Sequence, residues 1–461
     1  MTLTGATLAN YDEALKTFYL PAVTEQLNHE IPLEDLIDKN ERDVSGKNAT
    51  IECHYGRSTG TGARADGGAL PTAGYQKHKT ATVPMKYLYG RIEVSGPTIA
   101  ATRDEKGAYA KALDREIVGI VQDIKKEVNR MLWGAGYGTL ARWRSGTTTS
   151  MTLQRKYMGN SVGGDGFGST FGAKYLKERG DAVPVVLTVA SSVITVATVD
   201  GTSIAVSAVT EDKVNGYDTI TCTDADVTEA AGTFYVRPAS LVTYNASSAA
   251  GAARLEMMGL RGIVTDTDLD NITLNDGVDT GITTPADPLQ GLAVATYAWW
   301  KAHVDSHPSG RYAGQRALTL NLMQKMFDNV ETAAGMGQGP NLIMASKAIR
   351  REYIELCQAA NRTINEKQLD GGWSAVMYSG GGGAVPILVD DDAIDGEMYF
   401  LTTSDLQIYR MADWDWMQKD GAILSRITGF DAYEAVLFRY SELGTTRRNT
   451  QGVLTDLQYT E

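Results

Sequence analysis

The chain is 461 residues long, which at about 150 residues per domain predicts roughly three domains. Its 43 lysines and arginines against 56 aspartates and glutamates leave a formal charge of −13, which argues against a protein whose main task is to coat nucleic-acid phosphate. A hydrophobic fraction of 43% supports buried cores and excludes wholesale disorder, while 48 glycines predict a loop-rich molecule.

Residues 1–30 carry Asp12, Glu13, Glu25 and Glu30 and no unbroken apolar run, so neither a signal nor a transit peptide is expected. No stretch of about 18 apolar residues occurs, so no membrane span is expected either. The first forty residues read as short, weakly amphipathic helical pieces broken by Pro21 and Pro32. Gly56, Gly60, Gly62, Gly67, Gly68 and Gly74 then mark a polar stretch, followed by an alternating run from Thr80 to Ser95. Extended segments around a mobile tip predict a long β-hairpin, an excursion from the body too polar to make its own core.

Residues 103–133 give the strongest helical signal. Leu113, Ile117, Ile120, Val121, Ile124, Val128, Met131 and Leu132 recur at spacings of three and four. Thr102 and Glu105 are spaced as a capping box, and Gly134, Gly136 and Gly138 end the helix. From Val183 to Tyr244 short strands follow one another, among them Val185–Val189, Val193–Val196 and Thr233–Val236. Asp200-Gly201 and Asn215-Gly216 predict hairpin turns between them. Asn245–Ala253 reads as the exit linker of this small all-β module. Beyond Gly259 a helix is expected over 314–333, a buried strand over Asn341–Ala345 and a helix over Ser346–Gln358 capped by Ser346. Further strands are expected over Val385–Val389, Met398–Thr402 and Ala432–Tyr440. The fold class is α+β with a β insertion.

Candidate chemistry is sparse. Cys53, Cys222 and Cys357 are scattered without CxxC spacing, which predicts three plain thiols in a reducing cytosol. The sequons at Asn48, Asn245 and Asn271 read as chance matches. His303 and His307 have i, i+4 spacing but lack the glutamate of HExxH, and Pro308 follows at once, so no zinc site is expected. Asp266-x-Asp268-x-Asp270 opens like a calcium loop. Asn271 replaces its turn glycine and Gly277 its twelfth-position glutamate, so a solvated acidic turn is expected. Asp390-Asp391-Asp392 reads as an exposed strand end. Gly134-x-Gly136-x-Gly138 closes a helix rather than opening one, Gly60-Thr-Gly62 lacks a P-loop ending, and no GxSxG elbow occurs. No catalytic residue, metal site or cofactor is expected.

Taken in order, these elements resemble the major capsid proteins of tailed bacteriophages, the shell-forming HK97-type fold. The residues that carry the resemblance begin with Tyr87–Pro97 leading into the long "spine" helix, which closes in Met131-Leu-Trp-Gly-Ala-Gly-Tyr-Gly138. The family's Gly-Leu-x-Gly-Ile element is matched by Gly259-Leu-Arg-Gly-Ile263, more than a hundred residues later. Asn341–Ser346, Val385–Asp391, Leu401–Tyr409 and Asp431–Tyr440 resemble the family's later segments. The resemblance implies an N-terminal arm at 1–45, an extended loop at 46–101, and a peripheral domain with the spine helix at 102–141 and 258–290. It further implies an inserted all-β domain at 142–257, an axial domain at 291–430 and a C-terminal return at 431–461. A non-enzymatic shell subunit is then expected, forming hexamers and pentamers of an icosahedral virion capsid, assembled in the host bacterial cytoplasm and enclosing double-stranded DNA without sequence-specific contacts. The short arm leaves no room for a large cleavable scaffold segment, so a separate scaffolding protein is expected, with a portal and a decoration protein.

Arg57, Arg64, Lys77, Lys79 and Arg91 give the excursion several cations in an acidic chain. They are expected to meet acidic patches on neighbouring subunits, where small contacts repeated by symmetry sum to a stable assembly. Lysine–asparagine crosslinking, which occurs in some relatives, is not expected, because no partner asparagine or catalytic glutamate is identified. An encapsulin-like bacterial compartment shares the fold but does not predict the extra β module. A β-domain adhesin or carbohydrate-binding protein is disfavoured by the missing secretion signal and the long helix. A hydrolase built on residues 259–430 is the remaining alternative.

Overall fold

Alternation in the chain is read out directly by the sheets. In the computed structural model the described residues are 32–41, 43–96, 106–136, 138, 140–147, 150–154, 171–176, 181–190, 193–198, 204–212, 217–222, 234–237, 255–268, 288–309, 311, 314–335, 337–359, 366–368, 374–380, 383–418 and 423–460. The helical pieces expected before Ile31, the Thr102–Glu105 capping box and the linker Asn245–Ala253 lie outside them. So do Asp270, Asn271 and the turn dipeptides Asp200-Gly201 and Asn215-Gly216.

The run from Thr80 to Ser95 is not one strand. It divides at Met85 into Lys77–Pro84 and Lys86–Ser95, which join different sheets. The first pairs antiparallel with Asn48–Gly56 to form the excursion, and the second pairs with Ala432–Thr445. Alternation survives the break, because each half buries every second side chain against a different partner.

Strand Lys86–Ser95 belongs to a five-stranded sheet with Asp38–Asn40, Leu406–Trp416, Ser425–Arg426 and Ala432–Thr445. Its residues Leu88 and Ile92 are buried in one core with Ile117, Val121, Ile124 and Val128 of the long helix Lys106–Trp133. Burial of each such side chain contributes about 1.5–3 kcal/mol. Gly90 lies where a Cβ would come 2.2 Å from Ile124 Cδ1, so helix and strand approach closely there. The 28-residue helix spans about 42 Å at ~1.5 Å per residue. Its chain direction is broken by Gly136 and Gly138, both at positive φ.

A seven-stranded mixed sheet forms the second body layer, in the order His303–Asp305, Gly452–Leu454, Met398–Leu401, Leu342–Ala345, Gly383–Val389, Ser374–Gly380, Glu366–Gln368. The continuous apolar run Leu342–Ala345 is buried throughout because both faces are covered. Ile343 and Ala345 pack with Met323, Met326, Phe327 and Val330 of the helix Leu320–Ala334, whereas Leu342 and Met344 enter the core of the long helix. Trp133 meets Tyr399 edge-on at 5.6 Å, joining the helix to the same sheet.

The helix expected from 314 begins at Leu320, with Thr319 Oγ1 accepting from the Leu322 N–H at 3.1 Å. The preceding residues are held extended, since Arg316 bridges to Leu457. Ser346 precedes the helix Lys347–Ala359 as expected, but its buried hydroxyl makes no capping bond among the described residues. His303 lies on a strand, so the pair with His307 is not helical.

The third sheet contains Ala141–Thr147, Ser150–Gln154, Asp181–Ala190, Val193–Thr198, Ile204–Asp212, Tyr217–Cys222 and Phe234–Arg237. A pairing of Ile204 and Ala205 with Ala182 and Asp181 closes six of these strands into a barrel, which removes free edges. Ile204–Asp212 and Tyr217–Cys222 form the antiparallel pair expected around Asn215-Gly216. Val193–Thr198 and Ile204–Asp212 do not pair with each other among the described residues. Both pair instead with Asp181–Ala190.

Two acidic motifs differ from expectation. Asp268 is buried rather than solvated, accepting from the Val294 N–H at 3.1 Å. It lies near the buried Arg448, which donates to the carbonyls of Ile263, Trp300, Gly262 and Thr267. Burial pushes the Arg448 guanidinium down to about 10 while Asp268 and Asp266 pull it up, so it stays cationic at neutral pH. Asp390 and Asp392 are likewise buried rather than exposed, because they fill a polar junction between the body and the barrel.

Candidate intersubunit surface

The excursion is anchored at its base and bare at its tip. At the base Ala49, Val83 and Met85 pack on Tyr409, while Cys53 and Ala81 pack on Leu292 and Trp300. Tyr55 stacks on Trp299 with ring centres 5.0 Å apart. Burial pushes the Cys53 thiol up, so the thiolate is disfavoured there. Gly74 lets the two limbs touch, since a Cβ there would lie 2.7 Å from the Thr59 amide. Gly67, at φ +74°, turns the chain, and the Gly68 N–H donates to Ala65 O at 2.9 Å.

Residues 61–70 and 72–80 are exposed without interruption. Leu70 is 87% exposed and Tyr75 79%, although each carries a large apolar surface. Among the described residues Arg64 bonds only within the tip, through Nε to Ala69 O at 2.9 Å and a second nitrogen to Ala63 O. Lys79 Nζ lies 5.4 Å from the centre of the Tyr297 ring. Arg57, Arg64, Lys77 and Lys79 are exposed and form no salt bridge among the described residues. Asp66 is the one carboxylate between Arg57 and Lys79 in the sequence, so the tip is cationic.

Arg91 stands apart from these four. It lies on the five-stranded sheet, bonding Glu434 at 2.8 Å and Glu93 at 3.4 Å. Around it the sheet face turned from the long helix is aromatic. Tyr87 and Tyr89 meet Tyr440 edge-on at 5.1 and 6.1 Å, and Phe438 lies 5.0 Å from Tyr440. Hydrogen bonding to Tyr440, then burial, pushes the Tyr89 phenol up to about 12, so it stays a neutral donor. Tyr87 and Tyr89 are about half exposed. Charge counting points to the cations but passes over this apolar component. The signal for it is present in the sequence: odd positions 87 and 89 are aromatic while even positions 88 and 92 are aliphatic.

Exposed cations, Leu70 and Tyr75 on the excursion and the half-exposed Tyr87 and Tyr89 on the sheet can make charged and apolar contacts with another surface. Among the described residues no group of three or more histidine, cysteine, aspartate or glutamate side chains is gathered to hold a metal ion. A cleft between the long helix and strand Lys86–Ser95, about 600 Å³ in volume, is lined by residues including Tyr89, Arg91, Asp123, Lys126 and Trp414 and contains no histidine, serine or cysteine. Among the described residues no helix is long and apolar enough to cross a membrane.

No protein-family model matches the sequence, and no curated protein matches it. Among solved structures, a chain of the cyanophage A-1(L) capsid asymmetric unit is similar with a TM-score of 0.52 and 14% identity, covering 93% of this chain and 93% of that one. A chain of the native GTA particle capsid gives a TM-score of 0.40 at 8% identity, covering 92% and 90%. The capsid of Myoviridae phage XM1 gives 0.38 at 8% identity, covering 92% and 91%. The likeness to the cyanophage chain shows a shared fold across nearly the whole length of both, so this α+β chain has the fold of a phage capsid structure.

Proposed function

We propose that the chain is the major capsid protein of a tailed bacteriophage, a subunit of HK97-type layout that assembles into the hexamers and pentamers of an icosahedral head. The observation that carries this reading is the excursion: a hairpin fixed to the body at its base, with Leu70 and Tyr75 left bare at its tip and four exposed cations that form no salt bridge among the described residues. Ordering such a segment costs conformational entropy, and the chain's own body gives its tip little in return. A neighbouring copy supplies what is missing. The fold shared with the cyanophage A-1(L) capsid chain supports the same reading.

In this account Arg57, Arg64, Lys77 and Lys79 reach carboxylates on the adjacent subunit, and Leu70 and Tyr75 add apolar contact. Arg91 belongs to the receiving side, where it holds the charged rim of the Tyr87–Tyr89–Tyr440 face. The role is structural, without catalysis. The shell encloses double-stranded DNA, and the chain's net charge of −13 lets the wall confine that polymer without gripping it. A scaffolding protein, a portal and a decoration protein are the partners this reading brings in, within a virion assembled in the bacterial cytoplasm.

Charge reversal tests it. With Arg57, Arg64, Lys77 and Lys79 all changed to glutamate, the chain is expected to keep its circular-dichroism spectrum and melting temperature but to sediment as small species. Shells formed as readily by the quadruple variant as by the unaltered chain would overturn the assignment of these residues.

A further inference from the structure

The two strands of the excursion bring a pair of histidines together. His54 of Asn48–Gly56 and His78 of Lys77–Pro84 are directly opposite in the antiparallel register, a relation that sets Cβ atoms about 4.5–5.5 Å apart. Their ring centres are 4.9 Å apart with the planes at 42°. Both residues are exposed. Lys77 and Lys79 alternate with His78 along the strand and so take the opposite face, where Lys79 lies against Tyr297. Beside the two rings stand Glu52 and Gln76.

Each ring is held at one nitrogen by an acceptor. His78 Nδ1 lies 3.1 Å from Glu52 Oε1, and His54 Nε2 lies 2.9 Å from Gln76 Oε1. A carboxylate or amide oxygen only accepts, so in the neutral rings these two nitrogens carry the protons. His78 Nε2 and His54 Nδ1 then keep a lone pair each. Metal-ligating histidines are built this way, with the second nitrogen donating to an oxygen that fixes the tautomer. The spacing agrees. With N–metal bonds of about 2.0–2.1 Å and an angle of about 90–109° at the ion, two ligating rings have centres roughly 4.5–5.2 Å apart. The observed 4.9 Å falls within that interval.

We propose that His54 and His78 form a two-histidine clip for a divalent transition-metal ion of the zinc, nickel and copper class, which ties the two strands of the excursion together, with Glu52 and Gln76 orienting the rings. Two protein ligands make an open site, smaller than a group of three, and water completes the coordination. Imidazole selects this class over magnesium and calcium, which take oxygen ligands. The ion meets both rings only when the strands are paired, so its binding free energy adds to the pairing. The clip does not depend on the shell reading.

Zinc chloride titrated into the full chain tests it, by calorimetry and by hydrogen exchange. The unaltered chain is expected to take up zinc at a site that His54→Asn and His78→Asn each weaken by about tenfold or more. Protection at 48–56 and 77–84 is expected to rise with zinc, by up to about a hundredfold at a free concentration about a hundred times Kd, and to fall back on adding EDTA. Magnesium chloride is expected to leave that protection unchanged. Zinc affinity unaltered in either variant, protection at the two strands indifferent to zinc, or an equal response to magnesium would each overturn the clip. Both histidines are exposed, so both variants are expected to fold. The exchange response of the unaltered chain decides independently of them.

Discussion

Gly259 shows how one residue fixes the meeting of two segments distant in sequence. A Cβ at this position would lie 2.3 Å from Met131 O and 2.6 Å from Gly134 O, both backbone atoms that no rotamer change can move aside. Gly259→Ala is therefore expected to cost ~1–3 kcal/mol, the usual penalty of overpacking, measured as a lower urea midpoint with an unchanged slope. An unaltered midpoint would contradict the contact. The glycine itself was legible as part of Gly259-Leu-Arg-Gly-Ile263, but its reason was not, because Met131 lies over a hundred residues earlier. Asp268, Asp390 and Asp392 were misread for a related reason. A carboxylate's burial depends on nonlocal partners such as Arg448, Asn129 and Lys174, and an acidic triplet alone has the pattern of a solvated loop.

At the scale of elements, the strand His303–Asp305 is fastened to the helix Leu320–Ala334 by one carboxylate. Asp305 accepts from Arg316 at 2.5 Å and from Lys325 at 2.6 Å. Burial pushes this carboxyl up, but the hydrogen bonds from Lys325 and Arg316 outweigh it and hold it below the ordinary aspartate range. A group held low in the folded state adds stability above its ordinary value near ~4, and that stability is lost as pH falls through the lower folded value. Asp305→Asn is expected to cost ~1–3 kcal/mol at neutral pH, and the gap from the unaltered chain should close on acidification towards pH 3. Thermal melts at stepped pH measure this, and a gap constant from pH 7 to 3 would contradict it. The elements themselves were largely legible. Periodicity marked the long helix within a few residues, and the four-residue apolar run at Leu342 marked a strand covered on both faces. Two features resisted reading. The break at Met85 leaves no gap in the alternation, and the late start at Leu320 depends on Arg316 pairing with Leu457 near the far end of the chain.

At the scale of the molecule, strand order is the part least accessible from sequence. Leu406–Trp416 lies between Asp38–Asn40 and Ala432–Thr445, and Gly452–Leu454 crosses to the other sheet. The pairing of Asp38–Asn40 with Leu406–Trp416 spans hundreds of residues and has no local signature. What the sequence did carry, among the described residues, was order: excursion, long helix, β module and mixed region, part of the succession on which the resemblance to phage shell proteins rests. The excursion's cations were legible as charge, whereas the bareness of Leu70 and Tyr75 required the body to be in place around them. The central claim is that this chain completes itself against copies of its own kind. Electron microscopy of the purified protein, alone and with the proposed scaffolding protein, tests that most directly. The account predicts closed shells or capsomer rings with the excursion of one subunit lying on the next; a monodisperse monomer under both conditions would contradict it.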